Sequence, residues 1–263
     1  MTTLPLENRA ILVTGPAKGM GGAITRAIGA AGGDLVLIGR DMAPIEAIAG
    51  EMRALGRDVL AVETDITEEA EVLAAVASAS AHFGDRLYGA VNIAGVSGPT
   101  GKTLWQHSVA DFRELFDVNV LGSFLIMKAM LPELIARRAG SIVNIGGTFG
   151  FKGVRNASLY GATKWTLRGL SKSAALEAGS AGVRVNMVSP GGVDGPRLTR
   201  QLGEEAELMG ISYEERLVRF ATTAALGRMS TAEDIAEAVL FLLSPAARNI
   251  TGQDLLVDGG TIV

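Results

Sequence analysis

The sequence predicts an α/β fold in which successive βα units are laid around a parallel sheet. Three observations carry this. Short Val/Ile/Leu runs alternate with Ala-rich helical stretches from one end of the 263-residue chain to the other. A mean hydropathy of +0.30 together with 34 glycines suits strands buried on both faces and helices packed closely against them. No linker and no internal repeat interrupts the rhythm, so residues 1–263 read as one domain, long enough to bury a substantial core.

Taken in order, the first apolar run, 9–14, ends in a glycine-rich loop, and a helix follows to about residue 31. Residues 34–39 form the second strand, 41–55 a helix and 58–63 the third strand. Thr67 caps the next helix, which runs to about Phe83, with Glu68 and Glu69 in the first turn where the helix dipole favours acids. The fourth strand is 88–94. A long helix then runs from about Ser108 towards Arg137, disturbed at most locally by Pro132, and 141–145 is the fifth strand. Tyr160 lies near the start of the following helix, which continues to about Ala178. Residues 183–188 make the sixth strand, 231–243 a helix and 254–257 a last short strand. Residues 190–230 break the rhythm: they are charged, contain one helix around 213–224, and read as a mobile cover over a ligand site.

Composition removes several classes of function. With a net charge of -4, a pI near 5.4 and basic residues scattered along the chain, a nucleic-acid partner is not expected. There are no cysteines and two histidines, His82 and His107, which excludes disulfides, thiol nucleophiles and a zinc site of the usual Cys/His kind, and no metal is expected. Residues 1–7 lack a basic n-region and an apolar h-region, and no uncharged apolar run reaches spanning length. The expectation is a soluble, cytoplasmic protein without a membrane partner.

Two stretches carry chemistry. Thr14-Gly15-Pro16-Ala17-Lys18-Gly19-Met20-Gly21 falls between a strand and a helix, where glycines let backbone N–H groups approach a pyrophosphate at the helix N-terminus. Its spacing is G-x-x-x-G-x-G, and a bare turn is the plain alternative. At the end of the second strand, where an acid would bind the ribose 2′-hydroxyl of NAD, stand Gly39 and Arg40, with no carboxylate to compete. Arg40 can fork onto a 2′-phosphate and Lys18 can add a second positive charge, which favours NADP(H) over NAD(H). The alternative has Arg40 stacked on adenine and Lys18 solvated. The second stretch is Tyr160-Gly161-Ala162-Thr163-Lys164. On a helix, residues four apart share a face, so the Lys164 ammonium can lie near the Tyr160 phenol and pull its pKa down from about 10, which makes the phenol a usable proton donor and acceptor. An ordinary helix pair is the competing explanation.

Together these stretches resemble the single-domain short-chain dehydrogenase/reductases over essentially the whole chain. Thr14 to Gly21 is similar to the family's glycine motif, Asp65 to its adenine-contacting aspartate, and Asn92-Ile93-Ala94-Gly95 to its N-N-A-G stretch. Asn119, within Asp117-Val118-Asn119-Val120, resembles the helix asparagine of a water-linked proton relay, and Tyr160 and Lys164 resemble the general acid/base and the lysine that also holds the nicotinamide ribose. Pro190-Gly191 and Asp258-Gly259-Gly260 match motifs beside the nicotinamide and at the end of the chain. The resemblance implies a doubly wound Rossmann-type fold, a seven-stranded parallel sheet with helices on both faces, forming one dinucleotide-binding catalytic domain with a substrate-covering segment at about 190–230. It implies tetramers or dimers built through the helices bearing Asn119 and Tyr160. The implied catalytic residues are Asn119, Tyr160 and Lys164. The implied cofactor contacts are Gly15, Lys18, Gly19, Met20, Gly21, Arg40, Asp65, Ile66, Asn92, Ala94, Gly95, Tyr160, Lys164, Pro190, Gly191 and Val193.

Three departures stand out. The substrate-orienting serine of the family falls thirteen residues before the tyrosine, at Gly147 here, so the expected hydroxyl is absent. Thr148 is the nearest candidate to replace it, although a shift of one residue at a strand end turns the side chain to the opposite face. Ile93 replaces the second asparagine of N-N-A-G, and Gly195 stands where a threonine often contacts the carboxamide. The implied reaction is hydride transfer between nicotinamide C4 and a carbonyl or secondary alcohol carbon, with Tyr160 handling the oxygen's proton. Reduction of an imine, which needs no oxyanion donor, and a non-catalytic NADP-binding regulatory role are the alternatives. Arg197, Arg200, Arg216 and Arg219 in the cover can recognise an acidic substrate, but a solvated face balanced by Glu204, Glu205, Glu207, Glu214 and Glu215 is the plainer reading. Trp105 and His107 stand either at the cleft mouth or, more commonly for such residues, on a surface loop.

Overall fold

The computed structural model describes residues 4–99 and 101–263. Seven strands, β1 (Ala10–Thr14), β2 (Asp34–Gly39), β3 (Val59–Glu63), β4 (Leu87–Asn92), β5 (Gly140–Ile145), β6 (Val183–Pro190) and β7 (Asp254–Val257), form one parallel sheet in the order β3-β2-β1-β4-β5-β6-β7. The chain winds outward from β1 to β3, then crosses back to place β4 on the other side of β1. That reversal opens a crevice at the carboxyl ends of β1 and β4, the place where such sheets bind ligands.

Period-two alternation along the strands feeds two cores. Ile11 and Val13 of β1 pack with Ile24 and Ile28 of α1 (Met20–Ala30), Ile45, Ile48 and Met52 of α2 (Met42–Ala54), and Ile235, Val239 and Leu242 of α9 (Ala232–Leu243). Ala10 and Leu12 point the other way, towards Val72 and Val76 of α3 (Glu69–Phe83), Leu125, Ile126 and Leu134 of α5 (Gly122–Arg137), and Ala174 and Ala178 of α6 (Ser158–Ala178). These β1 side chains are fully buried, as a strand covered by helices on both faces requires.

The expected long helix is present, and three other expectations need correction. Thr67 does not cap α3: Glu68 stands at the cap, and the Thr67 hydroxyl donates instead to the Asp65 carboxylate at 2.7 Å. An Asx-type turn has won over an N-cap because Asp65 also receives the Thr67 N–H at 3.0 Å. The long helix is α4 (Val109–Phe116) running through a π-turn (Asp117–Leu121) into α5, and Pro132 sits inside α5 without ending it. This 29-residue stretch is long and apolar enough to cross a membrane by length and composition, but nearly half of its apolar window is buried against the rest of the fold. The 190–230 segment holds two helices, α7 (Pro196–Met209) and α8 (Tyr213–Ala221). The first was illegible because a low mean hydropathy and many charges hid its amphipathic stripe of Leu202 and Ala206. Finally, His107 is not a surface histidine: its ring is 4% exposed, 3.4 Å from the Asp111 carboxylate, while Trp105 two residues away is 84% exposed.

Candidate active site

The parallel register puts Thr14, Asn92, Asn144 and Met187 in one row across β1, β4, β5 and β6. The loops leaving these strands therefore emerge side by side at one edge. They carry most of the residues singled out in the sequence, and polar side chains lock the row from beneath. The Thr14 hydroxyl accepts from the N–H groups of Ile93 and Ala94 at 2.9 and 3.1 Å, tying the end of β1 to the loop after β4. Asn92 donates to Asn144 at 2.7 Å, and Asn144 donates to Ser171 of α6 at 2.8 Å. Asn92 thus uses its amide inside the sheet, and Ile66 uses its side chain against α5, where a Cβ on Gly122 would stand 2.5 Å from Ile66 Cδ1. The Asn92 Oδ1 has no hydrogen-bond partner among the described residues.

The glycine loop is built for backbone approach. Gly15 and Gly19 have φ of 63° and 51°, which disfavours a side chain, and a Cβ on Gly21 would stand 2.0 Å from the Gly15 carbonyl oxygen. Gly15 also lies on Ala94, whose Cα would be 3.3 Å from an added Cβ. Gly19 is the N-cap of α1 and makes no side-chain cap; the Gly21 N–H is taken by the Lys18 carbonyl at 3.0 Å, while the Met20 N–H at the start of the helix is left for an anion. These glycines fit a pyrophosphate laid over the helix N-terminus.

Lys18 of the glycine loop and Arg40 at the end of β2 do meet carboxylates, contrary to the sequence reading. Lys18 Nζ is 3.1 Å from Asp41, and Arg40 is 3.4 Å from Asp65. Asp65 ionises more readily than usual, chiefly because Thr67 donates to it from backbone and side chain, with Arg40 a smaller contributor. Lys18, Asp41 and Arg40 are largely exposed, so these pairs are weak and yield readily to a doubly charged phosphate.

At the other end of the row, α6 presents Tyr160 and Lys164 on one face. Lys164 is 7% exposed; its ammonium donates to the Ile145 carbonyl at 3.0 Å and lies 5.5 Å from the Tyr160 ring centre. Phe149 meets the Tyr160 ring edge-on at 5.9 Å. Burial alone pushes the Tyr160 pKa up, but the Lys164 ammonium and then the Arg197 guanidinium oppose it, and the phenol ends below its ordinary value. Arg197, weighed above as a solvated helix charge, is exposed as that reading expected, but its charge reaches the phenol.

Asn119 sits in the π-turn, buried, and grips Val96 in both directions: its Oδ1 accepts the Val96 N–H at 2.8 Å and its Nδ2 donates to the Val96 carbonyl at 2.9 Å. The same Nδ2 donates to Thr163 at 3.2 Å, and the Thr163 hydroxyl donates to the Tyr160 carbonyl at 2.7 Å. Gly95 completes the link, since an added Cβ would stand 3.1 Å from Asn119 Oδ1. The glycine-loop side and the tyrosine side of the crevice are thus joined through Gly15, Ala94, Gly95, Asn119 and Thr163.

After β5, Gly147 has φ 159° and its nearest neighbour to an added Cβ is the Pro190 carbonyl at 3.9 Å, so the space a side chain would occupy is open. Thr148 is buried at the start of a short 3-10 turn. Beneath them, a Cβ on Gly146 would stand 2.5 Å from Ser189 Oγ, a buried hydroxyl without a hydrogen-bond partner among the described residues. Gly191 donates its N–H to the Val257 carbonyl at 3.1 Å, and an added Cβ there would stand 2.8 Å from Asp258 Cβ, so Pro190-Gly191 and Asp258 are neighbours. Val193 bridges Ser230 and closes the base of the cover.

The match to known proteins follows this geometry. A family model described as enoyl-(acyl carrier protein) reductase matches residues 15–261. 2-(S)-hydroxypropyl-CoM dehydrogenase 3 of Xanthobacter autotrophicus is 35% identical over 97% of each chain. The chain is a short-chain dehydrogenase/reductase. Among solved structures, NAD+-bound xylitol dehydrogenase superposes with a TM-score of 0.91 at 26% identity over 97% of this chain and 99% of that one. A variant of actinorhodin polyketide ketoreductase with NADPH superposes with a TM-score of 0.89 at 29% identity over 96% and 97%. As a short-chain dehydrogenase/reductase, the chain is an oxidoreductase that acts on alcohol or carbonyl groups with a nicotinamide cofactor.

Proposed function

We propose that this short-chain dehydrogenase/reductase uses NADP(H) in preference to NAD(H) and exchanges a hydride with a carbonyl or secondary alcohol carbon, with Tyr160 as general acid/base. The observation that carries the reading is the phenol of Tyr160, whose pKa is held below the ordinary value by Lys164 and Arg197 against the effect of burial. When bound, the nicotinamide supplies or accepts the hydride. In reduction, Tyr160 gives its proton to the substrate oxygen, and the neighbouring ammonium stabilises the phenolate left behind; in oxidation the same phenolate takes the proton back. The Ile145 carbonyl fixes Lys164 at 3.0 Å, and Asn119, through Thr163, fixes the backbone of Tyr160. The backbone of Gly15, Gly19, Met20 and Gly21 would hold the pyrophosphate, and Ala94, Gly95, Pro190, Gly191 and Val193 would border the nicotinamide end.

Arg40 at the end of β2 supports the NADP(H) preference, with Lys18 of the glycine loop: both are exposed and held in pairs that a 2′-phosphate can replace. Gly147 stands at the serine position, so the oxyanion donor of the usual site is missing. That gap keeps imines in view as substrates, because a protonated nitrogen requires no such donor. A cytoplasmic homotetramer or homodimer completes the proposal.

The test is NADPH oxidation against a panel of ketones, diketones, sugars and imines, and NADP reduction against the corresponding alcohols and amines, with Tyr160→Phe as control. The reading requires turnover of at least one carbonyl or alcohol that drops by about a hundredfold or more in the variant while NADPH still binds. Turnover that survives the substitution removes Tyr160 from proton transfer; turnover of imines alone replaces the carbonyl reading with the second one.

A further inference from the structure

Directly against the Tyr160 ring stands a side chain that the redox chemistry does not use. Phe149 meets that ring with 5.9 Å between centres and the two planes 82° apart. It lies in the 3-10 turn Thr148–Gly150, where Thr148 and Gly150 are buried and Phe149 is only half-buried, so part of it stays uncovered beside the phenol.

The turn is fixed by contacts on both sides. The Gly150 N–H donates to the Gly147 carbonyl at 2.9 Å, and the Phe151 N–H donates to the Thr148 carbonyl at 3.1 Å. Gly150 sits on α6, where an added Cβ would stand 3.2 Å from the Lys164 carbonyl oxygen. Arg168 of α6, paired with Asp254 of β7 at 2.6 Å, donates to the Gly150 carbonyl at 3.3 Å and holds its guanidinium 4.1 Å from the centre of the Phe151 ring. An aromatic ring on a turn clamped in this way is already ordered when a ligand arrives, so its contact area costs little entropy to use. The same turn opens on Gly147, where an added Cβ meets nothing closer than the Pro190 carbonyl at 3.9 Å. A fixed ring and an unfilled side-chain position two residues apart leave room for an apolar group that a side chain at Gly147 would crowd.

We propose that Phe149 is a specificity-determining residue, and that with the open side of Gly147 it takes an apolar ring carried next to the reacting carbon, so that the substrate class is a ketone or secondary alcohol with a cyclic hydrocarbon substituent. This rests on Tyr160 being the group that meets the reacting oxygen. The carbon bonded to that oxygen lies only a few ångströms beyond the phenol, and its substituent is then within reach of a ring packed on the phenol. Phe149 selects the substituent, while Tyr160 handles the oxygen.

The experiment compares ketones that differ in the ring and match at the carbons beside the carbonyl: cyclohexyl methyl ketone with isopropyl methyl ketone, and benzyl methyl ketone with ethyl methyl ketone. NADPH-dependent reduction is measured for the native chain, Phe149→Leu, Phe149→Ala and, as a control for an aromatic side chain exposed elsewhere, Trp105→Leu. The proposal expects the native chain to favour the ring-bearing member of at least one pair by about tenfold or more in kcat/KM, the two pairs showing whether a saturated or an aromatic ring is taken. Phe149→Ala should lose about tenfold or more on that ketone, chiefly through KM, and only a few fold on its acyclic partner. Phe149→Leu, which keeps an apolar side chain against Tyr160, should fall between, and Trp105→Leu should keep the preference. If the native chain shows no preference for the ring, or Phe149→Ala loses equally on both members of a pair, the ring subsite is overturned while the redox reading stands. If the native chain reduces none of the four ketones yet turns over other carbonyls or alcohols, the subsite falls alone; no turnover of any carbonyl or alcohol removes both readings.

Discussion

Replacing Gly147 by serine adds a hydroxyl where the proposed site lacks an oxyanion donor, and the structure sets the cost. The space is there: an added Cβ at Gly147 meets nothing closer than the Pro190 carbonyl at 3.9 Å. The backbone is less accommodating, because φ 159° with ψ 156° lies at the margin of a region that L side chains rarely adopt. Holding a non-glycine residue in such a conformation costs about 1–3 kcal/mol, which for a chain of this size lowers the melting temperature by roughly 2–8 °C. Against that, one correctly placed oxyanion donor is worth about 10²–10³ in kcat. Gly147→Ala carries the same backbone strain without the hydroxyl, so the ratio of kcat for Gly147→Ser to kcat for Gly147→Ala on a simple neutral ketone isolates the donor. The expected ratio is about tenfold or more, allowing for imperfect aim. A ratio of one, with both variants folded and binding NADPH, would refute the assignment of Gly147 to the substrate side of the site. Activity below native in both variants on a bulkier substrate would mean that the open space is occupied by the substrate itself.

Other outcomes follow from the same coordinates. Gly21→Ala places a Cβ 2.0 Å from the Gly15 carbonyl oxygen and must open the glycine loop, so NADPH affinity measured by fluorescence titration should fall by about tenfold or more even where the protein still folds. Arg40→Ser should weaken NADPH far more than NADH, by about ten- to a hundredfold in Kd, and an equal loss for both cofactors would assign Arg40 to adenine stacking instead. Asn144→Ala leaves Asn92 and Ser171 without their shared partner inside the sheet, and chemical denaturation should show a loss of about 2–4 kcal/mol.

Much of this was legible from residues alone, for identifiable reasons. Strands of Val, Ile and Leu announce themselves, and all seven lie where the apolar runs placed them. The glycine loop and the Tyr160–Lys164 pair were legible because each depends on neighbours within one turn or one loop. What stayed hidden depends on partners far away in sequence. Thr14 gives no signal as the clasp between β1 and β4, because its partners Ile93 and Ala94 lie 79 and 80 residues on. Arg197 gives no signal either, because the phenol whose pKa its charge lowers lies 37 residues earlier in the chain. The charge pattern around β2 misled for a related reason: Asp41 and Asp65 reach Lys18 and Arg40 only after the helix and the next strand are in place. His107 illustrates the limit of composition, since a ring between a 3-10 turn and α4 was expected on the surface and is enclosed beside Asp111.

The account turns on a phenol made acidic by a fixed cation, and the pH dependence of alcohol oxidation tests it most directly. The base in that direction is the phenolate, so kcat/KM rises as Tyr160 ionises, and a lowered pKa brings that rise below pH 10. Lys164→Met removes the larger of the two opposing charges, and the midpoint should move to higher pH, while Tyr160→Phe should abolish the ionisation altogether. A midpoint that stays in place without Lys164, or persists without Tyr160, would contradict the claim.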